Sequence, residues 1–382
     1  MIEYITAGES HGRGLSVIVK GIPSNLKIDP DFIDKELAAR QSGYGRGSRM
    51  KIESDKADII SGVAGGVTNG APINIIIWNK DYENWKGKVT EKVVRPRPGH
   101  ADLIGSHKYG MTDDVRRVLE RSSARETSAR VAAGAVSRLF LKEFGIGIFS
   151  HVVNWGGIEV DTSGMTYEEI RTMAAGSEIR SACNSETLAK IKALIDGAKV
   201  SGDTIGGVIE TIISPVPPFL GSYQTFGEKL DGRIAGTVLG LQAVKGIEFG
   251  LGFRYGSTHG KNAHDEIFYN DKTGKYYRKT NNAGGIEGGM TNGSPVVFRS
   301  VMKPIPTLMS PLMSVNIETK APESASTERS DVSAVAACGT VIENIVAVDI
   351  ANALIARYGG DSLELIKSNF ENDPAIGMFA WR

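Results

Sequence analysis

Two histidines stand in glycine-flanked segments, GESHG at 8–12 and PGHAD at 98–102. Glycine lets the backbone turn sharply, which would expose the rings of His11 and His100. Histidine is the side chain best suited to proton transfer near neutral pH, so both are candidate acids or bases. The alternative for each is an ordinary hydrogen-bonded histidine. Ser10 beside His11 does not predict a hydrolytic pair, because adjacent side chains on a strand point in opposite directions.

Arginines are concentrated in two stretches. The first, twelve residues without an acidic side chain, contains Arg40, Arg46, Arg49 and Lys51. The second contains Arg116, Arg117, Arg121, Arg125 and Arg130. Because arginine forms paired, geometrically fixed hydrogen bonds to phosphate and carboxylate, both stretches predict binding of a small anion. Arg121 and Arg125 would share one helix face if the helix predicted from 127 extends back that far. The alternative is a solvated face with salt bridges to Glu120 and Glu126.

Asp331 stands beside Arg329, just before the last apolar helical stretch. It is either the N-cap of that helix or an ionised carboxylate poised as a base. Ser122 and Ser123 precede another helix start, where exposed N–H groups and hydroxyls suit an anion. Histidines, arginines and a carboxylate together predict acid–base chemistry on a small anionic substrate that carries phosphate or carboxylate groups.

The bulk composition excludes several function classes. The chain has 382 residues, with 44 Lys and Arg against 44 Asp and Glu. A net charge of zero provides no overall field for nucleic acid or a membrane, so neither is expected as a partner. The two cysteines are far apart, and no Cys/His or Asp/Glu pattern predicts a metal site. Without a signal-peptide pattern or an apolar run of about 18 residues, we expect a cytoplasmic protein.

Familiar cofactor motifs are absent. There is no Walker A sequence, and GVAGG at 62–66 precedes a strand, not a helix, which argues against a Rossmann site. Hydrophobic patterns predict strands at 15–19, 56–63, 71–78 and 204–216, and a hairpin around 271–274. They predict helices at 30–40, from 112 or 113 through 120, at 127–144, in pieces over 165–200, at the end of 224–244, and from 330–331 to about 358.

A repeated sequence indicates internal duplication. GGVTNGAP at 65–72 and GGMTNGSP at 288–295 share six of eight residues, and each precedes an apolar strand. Each is also followed by an arginine-bearing segment that opens a helix of small residues. We expect two halves related by a pseudo-two-fold; the alternative is chance recurrence of Thr-Asn-Gly turns. No linker-like composition separates the halves, so we expect residues 1–382 to form a single domain of two intertwined halves.

Separated motifs together resemble the chorismate synthase family. They are GESHG with GIP at 8–12 and 21–23, ERSSARET at 120–127, and RSD at 329–331 through 342–343. RPRPGHAD at 95–102 and NNAGGIEGG at 281–289 agree as well. The motifs follow the family's order over residues 8–343.

This resemblance implies a lyase that converts 5-enolpyruvylshikimate 3-phosphate to chorismate, the last step of the shikimate pathway. The reaction is a 1,4-anti elimination of phosphate and the C6 proton. It implies reduced FMN as the cofactor, which would lend an electron transiently and take part in C6 deprotonation without net redox change. It also implies an α+β fold, a single-domain β-α-β sandwich with helices between antiparallel sheets, and a homotetramer.

The resemblance also implies roles for residues. His11 would protonate the departing phosphate and His100 would stabilise or protonate the reduced flavin, with the reverse assignment as the alternative. Asp331 would work with flavin N5 in C6 deprotonation. The substrate would contact Ser10, Arg40, Arg46, Arg49, Arg125 and Arg329. FMN would contact Arg121, Ser122, Ser123, Gln242, Ala243, Gly288, Lys303, Pro304, Ile305, Pro306, Thr307 and Arg329. Gln242 replaces the Asn of some members, and KPIPT at 303–307 replaces KPTSS.

Two other classes of function compete with the lyase. The YGRGSR segment at 44–49 is similar to RG-rich RNA-binding segments, but overall neutrality argues against an RNA-binding protein. A non-catalytic sensor of flavin or of a phosphorylated metabolite would use the same basic residues. No separate reductase domain is evident, so NADPH is expected only indirectly, through an external flavin reductant.

Overall fold

The structure is a computed structural model that describes residues 1–47, 54–88, 91–328 and 330–381. The strands are β1 (Glu3–Gly8), β2 (Gly14–Lys20), β3 (Asp58–Ser61), β4 (Val63–Ala64), β5 (Val67–Thr68), β6 (Ile73–Trp78), β7 (Ile148–Trp155), β8 (Ile158–Glu159), β9 (Gly207–Ile213), β10 (Val244–Phe249), β11 (Ile267–Asn270), β12 (Lys275–Arg278), β13 (Ile286–Glu287), β14 (Met290–Thr291), β15 (Val296–Met302), β16 (Met313–Val315) and β17 (Pro322–Ser324).

Helices follow each group of strands. The α-helices are α1 (Pro30–Gln41), α2 (Tyr82–Trp85), α3 (Asp102–Lys108), α4 (Arg116–Ser122), α5 (Thr127–Lys142), α6 (Tyr167–Ala175), α7 (Ser185–Ser201), α8 (Leu230–Leu239), α9 (Gly260–Ala263), α10 (Val335–Tyr358) and α11 (Leu363–Glu371). Short 3₁₀ helices occupy Ala124–Glu126, Phe226–Glu228, Gly252–Ser257 and Ile376–Met378.

Two antiparallel sheets enclose the helices. One has the strand order β1-β2-β6-β3 and the other β10-β15-β9-β7-β8. In β6, Ile73, Ile75 and Ile77 are buried, whereas the side chains between them are partly exposed. This period of two gives the sheet one apolar face, which must be covered.

Helices α5 and α10 cover those faces. Helix α5 packs on β2 and β6, α10 packs on β7 and β9, and the two helices pack on each other. The layers are therefore sheet, helices, sheet, which confirms the predicted α+β sandwich with helices between antiparallel sheets. Helix α10 is long and apolar enough to cross a membrane, but 94% of its most apolar window is buried inside the protein. It is a core helix.

The two halves repeat one order of elements. Strands β1, β2, β3 and β6 with helices α1 and α5 correspond to β7, β9, β10 and β15 with α8 and α10. The repeated TNG segments form matching turns. Thr68 Oγ1 donates to Pro23 O and accepts from Leu26 N, and Thr291 Oγ1 makes the same pair of bonds in the second half, to Pro217 O and from Leu220 N. The duplication is confirmed by these matching elements and bonds.

Most of the predicted elements are confirmed with bounds shifted by a few residues, but the predicted start of the last long helix is wrong and the helix at 127 does not extend back to Arg121. The last long helix begins at Val335, not at 330–331, so Asp331 is not its N-cap. Arg121 and Arg125 do not share a helix face. Helix α4 ends at Ser122, and Ser123 is extended, with its hydroxyl accepting the N–H of Arg125.

The crossing of α5 and α10 requires a glycine. A Cβ added at Gly134 would overlap the backbone carbonyl of Asn344 in α10. The two helix backbones can approach this closely only without a side chain at 134. Because α5 packs on one sheet and α10 packs on the other, the close approach of the two helices determines the distance between the two sheets.

Gly134→Ala is expected to lower the free energy of unfolding by about 2 kcal/mol or more, because the helices must separate. Gly197→Ala is the matched control. Gly197 is exposed in α7, and no described heavy atom lies within 4 Å of its added Cβ. The free energy of unfolding of that variant should rise by about 0.5–1 kcal/mol, because alanine has a higher helix propensity than glycine. Denaturant unfolding measures the free energy of unfolding of both variants. Equal changes in the two variants would contradict the conclusion that α5 and α10 require a glycine where they cross.

Candidate functional site

The GESHG segment forms the turn between β1 and β2. Glu120, at the end of α4, holds this turn: its backbone carbonyl accepts the N–H of Ser10 at 3.0 Å, and one carboxylate oxygen accepts the N–H of His11 at 2.7 Å. The other carboxylate oxygen lies 2.7 Å from His11 Nδ1. The ring of Trp85 lies against the imidazole, with 4.2 Å between ring centroids. His11 is therefore fixed on two sides.

Asn79 connects this turn to the arginines. Its amide nitrogen donates to the carbonyls of Glu9, Ser10 and Gly12, with the shortest distance 2.8 Å to Gly12. Its amide oxygen accepts from Arg125 Nε at 2.9 Å. The Ser10 hydroxyl also lies 3.2 Å from the hydroxyl of Ser123. Ser10, His11, Ser123 and Arg125 are therefore in one cluster.

A buried carboxylate joins two of the predicted substrate arginines. Asp55 Oδ2 lies 2.6 Å from Arg125 Nη1 and 3.5 Å from Arg40 Nη1, and its side chain is 0% exposed. Arg40 donates further to the Thr127 hydroxyl at 2.8 Å and to the Ala124 carbonyl at 3.0 Å. This arrangement, which we call the Asp55 hub, fixes both guanidiniums at the start of α5.

Arg46 and Asp331 form a second ion pair beside the hub. Arg46 Nη1 lies 2.8 Å from Asp331 Oδ2, and the N–H of Gly47 donates to Asp331 Oδ1 at 2.5 Å. Burial lowers the pKa of Arg46. Burial, with the charges of Arg125 and Arg46, lowers the pKa of Arg40 to about 9, against the effect of Asp55. Arg40 therefore stays charged at pH 7. The guanidiniums of Arg40, Arg46 and Arg125 outnumber the carboxylates of Asp55 and Asp331. The excess positive charge favours binding of an anion.

His100 lies in a second cluster. Its Nδ1 contacts Asp102 Oδ1, and Asp102 also accepts from Arg97 Nε at 2.9 Å. Burial would raise the pKa of Asp102, but hydrogen bonds from His100 and Arg97 lower it to about 2. Arg97 Nη1 also donates to the Thr307 hydroxyl at 2.7 Å. His100 therefore lies beside Arg97, which binds the 303–307 segment, and has an ionised carboxylate at Nδ1.

The 303–307 segment and its neighbours adjoin this cluster. The ammonium of Lys303 donates to the carbonyl of Gly99, and burial together with Lys245 lowers the pKa of Lys303. The N–H of Lys303 donates to the Ala243 carbonyl at 3.0 Å. Pro304, Ile305 and Pro306 continue the segment, and the Ile305 carbonyl accepts from Thr204 at 2.8 Å.

Gln242 and Arg121 belong to a third set, centred on Glu126. Gln242 Nε2 donates to Glu126 at 3.0 Å, and the Thr6 hydroxyl donates to the same carboxylate at 2.6 Å. Arg121 donates to the Thr6 carbonyl at 2.9 Å. The Ser122 hydroxyl bonds within its own helix, to the Val118 carbonyl at 2.7 Å. Through Gln242 and Ala243 this set adjoins the Lys303 segment.

Two predicted substrate residues, Arg49 and Arg329, lie outside the described residues. Gly288 occupies the exposed turn between β13 and β14, and a Cβ added there would lie 3.9 Å from Cβ of Tyr223. The assignment of Gly288 to the flavin stays a prediction.

The residues present are compatible with a flavin at two points, its phosphate and a hydrogen-bond donor. Gln242 Oε1 is buried and has no described hydrogen-bond partner, so a donor group of a ligand could satisfy it. Arg121, exposed, is linked to Gln242 through Thr6 and Glu126, and Lys303, partly exposed, bonds through its N–H to Ala243. Both therefore supply positive charge for a ligand's anionic group near Gln242.

The predicted site residues depend on acidic and amide partners that the sequence reasoning missed. Asp55, Asn79 and Asp102 were not singled out, and Glu120 was considered only as a salt-bridge partner of arginines. Asp102 stands two residues after His100, a local signal that was available. Asp55 and Asn79 carry no local signal, because their partners are 15 to 70 residues away in the chain.

A cavity of about 710 Å³ lies apart from these clusters. Its lining includes Arg138, Arg171 and Arg180. Arg138 pairs with Glu36 and Glu343, Arg180 pairs with Glu343, and Arg171 pairs with Glu168, so that three guanidiniums meet three carboxylates. Its basic side chains are therefore matched by carboxylates, unlike those around the Asp55 hub.

Known proteins match the chain over nearly its whole length. The model of the chorismate synthase family matches residues 2–355. A chorismate synthase of Geobacter sulfurreducens is 48% identical over 97% of this chain and 98% of its own length. One from Streptococcus thermophilus is 50% identical over 96% and 97%. A crystal structure described as chorismate synthase aligns over 99% of both chains, with a TM-score of 0.81 and 39% identity.

Asp55→Asn is expected to lower the free energy of unfolding by about 3 kcal/mol, because two buried guanidiniums lose their shared counter-charge. Inorganic phosphate should recover part of this loss, since an anion can replace the carboxylate. Thermal unfolding with and without millimolar phosphate measures both effects.

Asp113→Asn is the matched control, because it removes the carboxylate from the exposed pair with Arg117. Such a pair contributes about 0–1 kcal/mol. An Asp55→Asn protein as stable as this control, or one that phosphate does not stabilise further than wild type, would show that the hub is not an anion site.

Proposed function

The chain belongs to the chorismate synthase family, and from that premise we propose how its residues carry out the family's reaction. The protein is a carbon–oxygen lyase of the shikimate pathway, which serves aromatic amino acid biosynthesis. It converts 5-enolpyruvylshikimate 3-phosphate to chorismate and inorganic phosphate. The observation that best supports our assignment of residues is the Asp55 hub, which gathers arginines beside His11 in a protein of zero net charge.

The elimination removes two groups from the substrate ring. The bond to the 3-phosphate oxygen breaks and its electron pair leaves with the phosphate, while the C6–H pair becomes part of the new double bonds. Atoms and electrons balance without net oxidation. The protein must therefore stabilise a departing anion and accept one proton.

We assign the substrate's anionic groups to the basic cluster. Arg40, Arg46 and Arg125 are described members, with Ser10 as a neighbour, and Arg49 and Arg329 complete the proposed set. Guanidiniums fixed in advance by Asp55 and Asp331 need little reorganisation when charge moves onto the leaving phosphate. Bidentate hydrogen bonds from these guanidiniums would also orient the substrate's phosphate and carboxylates.

His11 is the proposed acid for the departing phosphate. Its Nδ1 lies at Glu120, so Nε2 is the nitrogen that would deliver a proton to the phosphate oxygen. Asp331 is the proposed carboxylate for C6 deprotonation. Arg46 holds this carboxylate through an ion pair and the N–H of Gly47 donates a hydrogen bond to it.

The proposed flavin site consists of the second and third clusters together with Ser123 of the first cluster, Gly288 and Arg329. When bound there, reduced FMN would supply transient electron donation that helps the phosphate leave. The residues proposed to hold it are Arg121, Ser122, Ser123, Gln242, Ala243, Gly288, Lys303, Pro304, Ile305, Pro306, Thr307 and Arg329. His100 would hold a proton at the flavin, with Asp102 orienting its ring.

Several broader properties complete the proposal. We propose a cytoplasmic homotetramer whose 382 residues form one catalytic domain per chain. We also propose that its flavin is reduced by an external reductant, with NADPH acting only indirectly. No nucleic acid or membrane partner is part of the proposal.

Mixing the protein anaerobically with chemically reduced FMN and substrate is expected to release phosphate, whereas oxidised FMN or no flavin gives none. A colorimetric phosphate assay measures this directly. Absence of release with reduced FMN would overturn the lyase assignment and favour a sensor. NADPH in place of the chemical reductant should give no NADPH oxidation, and oxidation by the purified protein would contradict the need for an external reductant.

His11→Ala is expected to lower turnover by about 100-fold or more, as for loss of a general acid, while leaving FMN binding nearly intact. His100→Ala should instead weaken FMN binding. Steady-state kinetics and titration calorimetry with FMN separate the two. Loss of flavin affinity in His11→Ala would mean that the two histidine roles are reversed.

A further inference from the structure

We propose that Glu120 is a positioning residue for the reaction, one that acts through His11 by fixing its orientation and the location of its proton. This inference rests on the proposed role of His11 as the acid for the departing phosphate. It concerns a side chain outside the substrate and flavin contacts assigned above.

The contact between the two residues has two points. One carboxylate oxygen of Glu120 accepts the backbone N–H of His11 at 2.7 Å, and the other lies 2.7 Å from Nδ1 of the same residue. A carboxylate bound to both the backbone and the ring defines where the residue sits and how its ring is turned. With Trp85 against the ring face, the imidazole has little rotational freedom.

The charge of Glu120 has a further effect. Burial would raise its pKa, but the hydrogen bonds from the His11 side chain and backbone, with the charge of Arg116, lower it. Glu120 is therefore ionised near neutral pH and can only accept a hydrogen bond from the ring. It keeps a proton on Nδ1, so Nε2 is the ring nitrogen that would exchange a proton with a ligand.

A purely structural role for Glu120 would be that of an anchor for the β1–β2 turn. Part of that role is carried by its backbone, whose carbonyl accepts the N–H of Ser10. Side-chain substitution leaves this backbone bond in place. The carboxylate can therefore be changed while one anchor of the turn is kept.

Glu120→Gln tests the side chain with minimal change of shape. The amide oxygen must face the His11 N–H, so the amide NH₂ faces Nδ1. A neutral ring then has to accept at Nδ1 and carry its proton on Nε2, and the imidazolium loses its carboxylate. Both effects weaken His11 as a strong acid, although the hydrogen-bonded frame is retained.

The experiment is a double-mutant cycle of His11→Ala, Glu120→Gln and the double variant, with reduced FMN. Glu120→Gln is expected to lower kcat by about 100-fold or more. Its KM and the calorimetric dissociation constants of substrate and FMN should change by less than about threefold, since only the chemical step is affected. The double variant should be no slower than His11→Ala alone, because both residues act through one proton.

Asp113→Asn serves as the control with an exposed carboxylate removed, and should keep wild-type turnover. Glu120→Asp, which keeps the charge but retracts the carboxylate by one methylene, should lower kcat in the same direction and replaces Glu120→Gln if that variant does not fold. Full turnover in the Glu120 variants, or additive losses in the double variant, would overturn this inference. Full turnover in His11→Ala would instead overturn the assignment of His11 on which it rests.

Discussion

The site depends on one electrostatic constraint, the burial of like charges next to each other. Arg40 and Arg125 are almost fully buried, and their guanidiniums would repel each other without the carboxylate of Asp55 between them. Asp331 supplies the opposite charge for Arg46 in the same way. A protein with no net charge can hold a multiply charged anion in this way, because the positive side chains are fixed locally and only partly neutralised.

The duplicated fold brings these groups together. The hub lies where α1 ends and α5 begins, in the first half, while Asp331 precedes α10, the equivalent of α5 in the second half. Since α5 and α10 cross in contact at Gly134, the segments that lead into them are held by the same core. The core that stabilises the sandwich therefore also positions the carboxylates and arginines, and a change in helix spacing would be transmitted to the site.

Much of this could be predicted from the sequence, and the limits have physical causes. Hydrophobic patterns predicted most strands and helices, the family resemblance implied the layers, and the TNG repeat predicted the duplication. The two histidines and the arginines were recognisable by type and spacing. Asp55 and Asn79 were not, because a hydrogen bond between distant segments leaves no local pattern. Helix periodicity also did not reveal that Arg121 and Arg125 lie in separate helical segments. Ser123 between them has an extended backbone, which is favoured by the hydrogen bond from the N–H of Arg125 to its hydroxyl.

A crystal structure of the protein with oxidised FMN and substrate bound tests the central claim most directly. The account predicts that the substrate phosphate lies within hydrogen-bond distance of guanidiniums of Arg40, Arg46 or Arg125 and close to His11 Nε2. The flavin should lie between that phosphate and the segment at 303–307. A substrate bound elsewhere, for example in the cavity lined by Arg138, Arg171 and Arg180, would contradict the account.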